Sequence, residues 1–163
     1  MKTLLRTLLY LALIVWLGAE VFFPVVAAIT FMTLPGQTHI AGSIVGQLLR
    51  ILHSMGLVAG IVALLLLALA PAWNLYKSRT VIPPMLLLLF MLCATAYSQF
   101  GIIPAMERDR LAAGGAIDTA DTASPLTADF NRLHKLSTNV EGAVLLMGLV
   151  TVILVAHAET RRA

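Results

Sequence analysis

Residues 40–70 read IAGSIVGQLLRILHSMGLVAGIVALLLLALA, and this stretch decides the fold. An α-helix rises ~1.5 Å per residue, so about 20 apolar residues cross the ~30 Å of bilayer hydrocarbon. The stretch is comfortably longer than that. It nevertheless carries Arg50 and His53 near its middle. A charge facing acyl chains costs at least ~2.5–3.5 kcal/mol at a helix centre, so such residues turn inward and pair or line a wet space. At ~100° per residue, Gly42, Gly46, Arg50, His53 and Gly60 share an arc of about 80°. Gly56 lies just past one edge of that arc, with Gln47 and Ser54 past the other. Glycines let a neighbouring helix approach closely. One face therefore combines close-packing residues with charges, which places Arg50 and His53 in a bundle interior.

Three further apolar runs flank this one, at 4–32, 81–106 and 128–157. The chain of 163 residues is 60% hydrophobic and 12% charged, with mean hydropathy +0.93. Soluble domains are about 45–50% apolar and ~25% charged. Helices are predicted at about 3–31, 40–70, 83–106 and 128–157. They fill residues 1–163 as one integral membrane domain, an all-α four-helix transmembrane bundle of up-down topology. Lys2 and Arg6 ahead of LLYLALIVWLG resemble a secretory leader. The apolar run continues to Met32 and contains Glu20, which favours a retained first span. Pro24 is expected to kink that span, and Pro83-Pro84 suit a helix's first turn. Residues 33–39 read as a short turn, and 107–127, with Gly114-Gly115, Asp118, Asp121 and Pro125, as the longest loop.

The net charge is +3. The basic residues gather at helix ends without an aromatic-interleaved stripe, so no nucleic-acid partner is expected. Lys2, Arg6, Lys77, Arg79, Arg161 and Arg162 fall on one side, which reads as cytoplasmic for both termini. Trp73 and Tyr76 mark the interface there. A single cysteine, Cys93, excludes an internal disulfide and a cysteine-rich metal site. Ser-His-Asp, Gly-rich phosphate-loop and His-Glu-x-x-His patterns are missing, so nothing points to an enzyme.

The informative residues are the polar ones inside the spans: Glu20, Arg50, His53, Gln99, His134, Ser137 and Glu141. Phe130, His134, Ser137 and Glu141 fall within an arc of about 60°, and Gly148 continues it. Counting from the outer helix ends, His134 lies about 9–13 Å deep, with His53, Glu141 and Glu20 nearer the midplane. The implied picture is a polar crevice open to the outside and floored by dry packing. Arg50 has Glu20 and Glu141 as possible ion-pair partners. The charged segment Glu107-Arg108-Asp109-Arg110 has Asp129, Arg132 and Lys135. His53 and His134 together suggest a metal: as axial ligands of haem iron, or, with the methionines spread over the helices, as copper ligands. Each histidine equally suits a plain hydrogen bond to a neighbouring helix.

The stretches Trp16-Leu17-Gly18-Ala19-Glu20-Val21-Phe22-Phe23, Ala41-Gly42-Ser43-Ile44-Val45-Gly46, Ile103-Pro104 and Phe130-Asn131-Arg132-Leu133-His134-Lys135-Leu136-Ser137 resemble the transmembrane protein 205-like family. Glu20 departs from the small residue that the resemblance implies there. The resemblance implies a bacterial four-helix protein of the inner membrane and loosely favours metal or solute handling. A weaker likeness is to membrane domains associated with copper uptake. The leading expectation is a crevice that binds or conducts a small solute such as a metal ion. The others are an accessory or assembly subunit of a membrane complex, or a homo-oligomer, whose buried polar groups only fix helix packing, and a haem-bearing redox protein.

Overall fold

The computed structural model describes residues 1–117 and 124–160. Helix α1 (Lys2–Thr33) turns at 34–37 into α2 (Thr38–Leu69). Helix α3 (Ser78–Tyr97) passes through a π-helical turn (Ser98–Ile102) into α4 (Ile103–Ala112), and the three form one rod, Ser78–Ala112. Helix α5 (Pro125–Thr160) closes the bundle. These are four spans long and apolar enough to cross a membrane, and most of each apolar window faces outward. An all-α, up-down transmembrane bundle is therefore the architecture. Lys2 Nζ donates to the Asn74 carbonyl (3.3 Å), Arg6 lies 3.8 Å from Glu159, and the Tyr76 hydroxyl donates to Glu159 (3.1 Å). The N-terminus, the second connection and the end of α5 thus meet at one end of the bundle, called here the basic end.

The helix limits differ from expectation at two places. Helix α3 begins at Ser78, so Pro83 and Pro84 sit inside it. The fixed proline φ suits a helix, and the carbonyls they leave free lie near the helix start, where other partners are in reach. The expected loop at 107–127 is shortened at both ends, by α4 running to Ala112 and α5 starting at Pro125. Helix α4 stops where Gly114 and Gly115 adopt φ of 77° and 91°, and the Gly115 N–H returns to the Arg110 carbonyl at 2.9 Å. Only glycine enters that left-handed conformation without a Cβ penalty. Asp118 and Asp121 of that loop, and Arg161 and Arg162, lie outside the described residues. Pro24 stands within α1 without ending it.

Hydrophobic burial cannot drive helices together in lipid, because acyl chains are as apolar as leucine; close packing must do so. Here that packing is concentrated toward the basic end. Trp16, 1% exposed, lies against Gly56 and Gly60 of α2, and Leu17 packs on Gly148 of α5. Ala59, Ala63, Leu67, Leu88, Met91, Val144 and Val155 complete a dry core. Beyond Glu20, α1 contributes no buried residue, and α2 contributes only Ala41 before Leu52. Gly42 and Gly46 have open space where a Cβ would stand. The glycine stripe of α2 therefore packs only over its inner part, and the bundle loosens toward the opposite end.

Candidate functional site

The loosening begins at a polar cluster. His53 is completely buried. Its Nε2 lies 2.8 Å from Glu141 Oε1, and its Nδ1 lies 3.2 Å from Gln99 Oε1. Ser98 Oγ donates to the same Glu141 oxygen at 3.2 Å. Gln99 Nε2 donates to Ser54 Oγ at 3.5 Å, which turns the amide oxygen toward His53. On α1, Trp16 Nε1 donates to Glu20 Oε1 at 3.2 Å, and Glu20 is 4% exposed. Glu20 is close enough to feel the charges of Glu141 and His53. Each of the four spans thus contributes to one cluster. Along the helices it lies about 20–24 Å from the ends opposite the basic end.

The π-helical turn sets half of this geometry. Pro104 has no N–H, and its ring crowds the carbonyl four residues back. The chain relieves this by widening one turn, so the Ile103 N–H bonds to the Ser98 carbonyl five residues back. Such widened turns often accompany functional sites. Ser98 and Gln99 both sit on this one, and both reach the cluster.

The hydrogen bonds constrain the protons. Both partners of His53 present oxygen: a carboxylate on one side and an amide carbonyl on the other. An amide oxygen can only accept, so Nδ1–H donates to Gln99. Two arrangements then fit the same heavy atoms. Either His53 carries a second proton on Nε2 and donates it to a Glu141 carboxylate, or Glu141 holds that proton and donates it to Nε2. The second Glu141 oxygen is buried and has no hydrogen-bond partner among the described residues. The Thr95 hydroxyl, one turn from Ser98 on the same helix, is likewise buried and unpartnered. The cluster is therefore rich in acceptors, with capacity unused inside the chain.

The expected crevice residues divide into two groups. Glu20, His53, Gln99 and Glu141 come together. Ser137 is buried one turn from Glu141 on the same helix. Arg50 and His134 stay outside. Arg50 is exposed, pairs with neither Glu20 nor Glu141, and feels Glu107 instead. His134 is exposed and lies parallel to the Phe130 ring, with centroids 6.4 Å apart. Around Gly42 and Gly46, on the face that carries Arg50, there is open space where a Cβ would stand. His53 is thus buried whereas His134 is exposed. Among the described residues, no three His, Cys, Asp or Glu side chains gather as a metal cage. At the loose end Arg110 pairs with Glu107 (2.6 Å) and Arg132 with Asp129 (3.3 Å), each within one helix. Ser98 and Trp16 were not among the expected site residues. Pro104 following Gly101 is the signal that would have directed attention to Ser98.

Fold and site together define a small multi-pass membrane protein with an intramembrane histidine–carboxylate cluster. Residues 11–113 match the model of DUF4149, a domain of unknown function. That is more than half of the chain, and the protein belongs to the DUF4149 family. The matched region includes Glu20, His53, Ser98 and Gln99, whereas Glu141 lies beyond it. No curated protein and no solved structure matches the chain.

Proposed function

We propose that this chain is a multi-pass protein of the bacterial inner membrane whose midplane cluster binds or conducts a small cationic solute, the proton being the simplest. The observation that carries this reading is the fully buried His53, held between Gln99 and a Glu141 whose second oxygen is unsatisfied. Ionisable groups at membrane depth mark ion and proton paths by default. Asymmetry supports access from one side. The dry core closes the basic end, while Gln99, Ser54 and the open glycines lie toward the other. The Lys and Arg distribution supports reading that other end as the periplasmic one. The resemblance to the transmembrane protein 205-like family agrees with a solute-handling role. Metal handling draws less support, because His134 is exposed and stacks on Phe130 while His53 is buried.

The test is proton flux in liposomes, read with an enclosed pH-sensitive dye. Protein with His53→Ala or Glu141→Gln, checked for folding, is compared with wild type. A wild-type flux abolished by both substitutions supports the reading. Wild-type flux no greater than that of empty liposomes, under a pH gradient or with Na⁺ or K⁺ gradients, ends it.

One observation favours a second reading, an accessory subunit of a membrane complex or homo-oligomer. His53, Gln99, Ser98 and Glu141 satisfy one another across helices, as expected if they only fix packing. Loss of thermal stability in both variants, with no flux in wild type, would decide for it.

A further inference from the structure

At the basic end, remote from the midplane cluster, a cavity of about 540 Å³ is lined by Lys2, Arg6, Pro71, Asn74, Leu75, Tyr76, Lys77 and Ser78. We infer that this cavity is a binding site for the phosphate headgroup of an anionic phospholipid.

Charge is the first argument. Lys2, Arg6 and Lys77 surround the space, and Glu159 is the acidic residue that meets this group, 3.8 Å from Arg6. Among the described residues, Lys2 and Lys77 are thus left in excess. The Arg6 Nε is buried without a hydrogen bond. Guanidinium and ammonium groups bind phosphate oxygens well, the first by its fork of donors and the second as a point charge.

The second argument is that the cavity is built. Lys2 is tied to the Asn74 carbonyl at 3.3 Å, and Asn74 holds the left-handed φ of 53° that turns the connection around it. Tyr76 is 5% exposed and anchored on Glu159 at 3.1 Å. The volume falls in the range of small-molecule sites, about 300–1,000 Å³.

The third argument selects a lipid over free phosphate. Pro71 and Leu75 put apolar surface beneath the cations. The cavity lies where α2 ends and α3 begins, at the level of Trp73 and Tyr76, where amphipathic rings mark the headgroup region. An occupant here has its charge among the cations and its chains against the apolar helix flanks. Basic pockets between helices on the cytoplasmic side take anionic headgroups in this way.

The experiment titrates detergent-solubilised full-length protein with phosphatidylglycerol, with phosphatidylcholine and with inorganic phosphate. Binding is counted by native mass spectrometry, and the thermal midpoint is followed in parallel. Phosphatidylglycerol should bind and raise the midpoint, while phosphatidylcholine and phosphate should not. A Lys2→Gln, Lys77→Gln double variant leaves the Arg6–Glu159 pair intact. It should bind phosphatidylglycerol about thirtyfold more weakly, at roughly fivefold per cation removed. Unchanged affinity in that variant overturns the inference, as does equal binding of phosphatidylcholine. Stabilisation by inorganic phosphate alone overturns the lipid assignment.

Discussion

Replacing Gly60 with alanine should destabilise the bundle, whereas the same change at Gly46 should not. A methyl at Gly60 would overlap the Trp16 ring and stand 2.8 Å from Leu92 Cδ2. The ring cannot step aside. Its other edge rests on Gly56, where a Cβ would come within 2.6 Å of Nε1, and that nitrogen donates to Glu20. Overpacking of this kind costs about 1–3 kcal/mol. Gly→Ala also improves helix propensity by about 1 kcal/mol, wherever in a helix interior it is made. The difference between the two variants removes that common gain and leaves the clash, so Gly60→Ala should be less stable than Gly46→Ala by about 1–3 kcal/mol. Reversible unfolding in mixed micelles, with Trp16 fluorescence as the probe, measures both. Equal stability of the two variants would refute the packing of α1 on α2 described above.

Ser98→Ala removes one donor to Glu141 and should cost about 0.5–1.5 kcal/mol in the same assay, while Arg132→Ala, which breaks an exposed ion pair, should change stability by less than about 1 kcal/mol. A larger loss in Arg132→Ala than in Ser98→Ala would contradict the assignment of the two residues. Cys93 is exposed within the third span; a lipophilic maleimide should label it in vesicles, and a membrane-impermeant charged one should not. Burial and the neighbouring Glu159 carboxylate push the Tyr76 phenol well above its ordinary range. In an alkaline titration followed by phenolate absorbance, Tyr76→Phe should delete a step that lies above the ordinary tyrosine range. The sign follows: the stability linked to this phenol is full below the ordinary tyrosine range and is lost as pH rises through the elevated value.

The four spans were legible in the chain because runs such as 40–70 are too long and too apolar for any other fate. The polar cluster was legible for the same reason, since Glu20, His53, Gln99 and Glu141 are conspicuous in such surroundings. A helical wheel treats every turn as equally covered, so it assigned Arg50 and His134 to the same crevice as His53 and Gly42 to the same face as Gly60. Coverage actually depends on how far the helices stay together, and that is set by Trp16 fitting against Gly56 and Gly60 and Leu17 against Gly148. These are contacts between residues far apart in sequence, which single-helix geometry does not contain. Ser98 was overlooked because a serine in a regular helix is unremarkable, and its role depends on the local widening caused by Pro104.

That widened turn, Ser98–Ile102, also acts as a register device. It houses extra chain that a regular helix would spread along its axis, so the side chains on its two flanks keep an angular offset that no uniform rod would give. Winding it into a regular helix with every residue kept would rotate α4 by about 100° relative to α3. Glu107 and Arg110 would then swing to another side of the molecule while Leu88 and Met91 stayed in place. The third span is thus two separately aimed helices sharing one axis, and the residue absorbed at the joint sets the aim of one relative to the other.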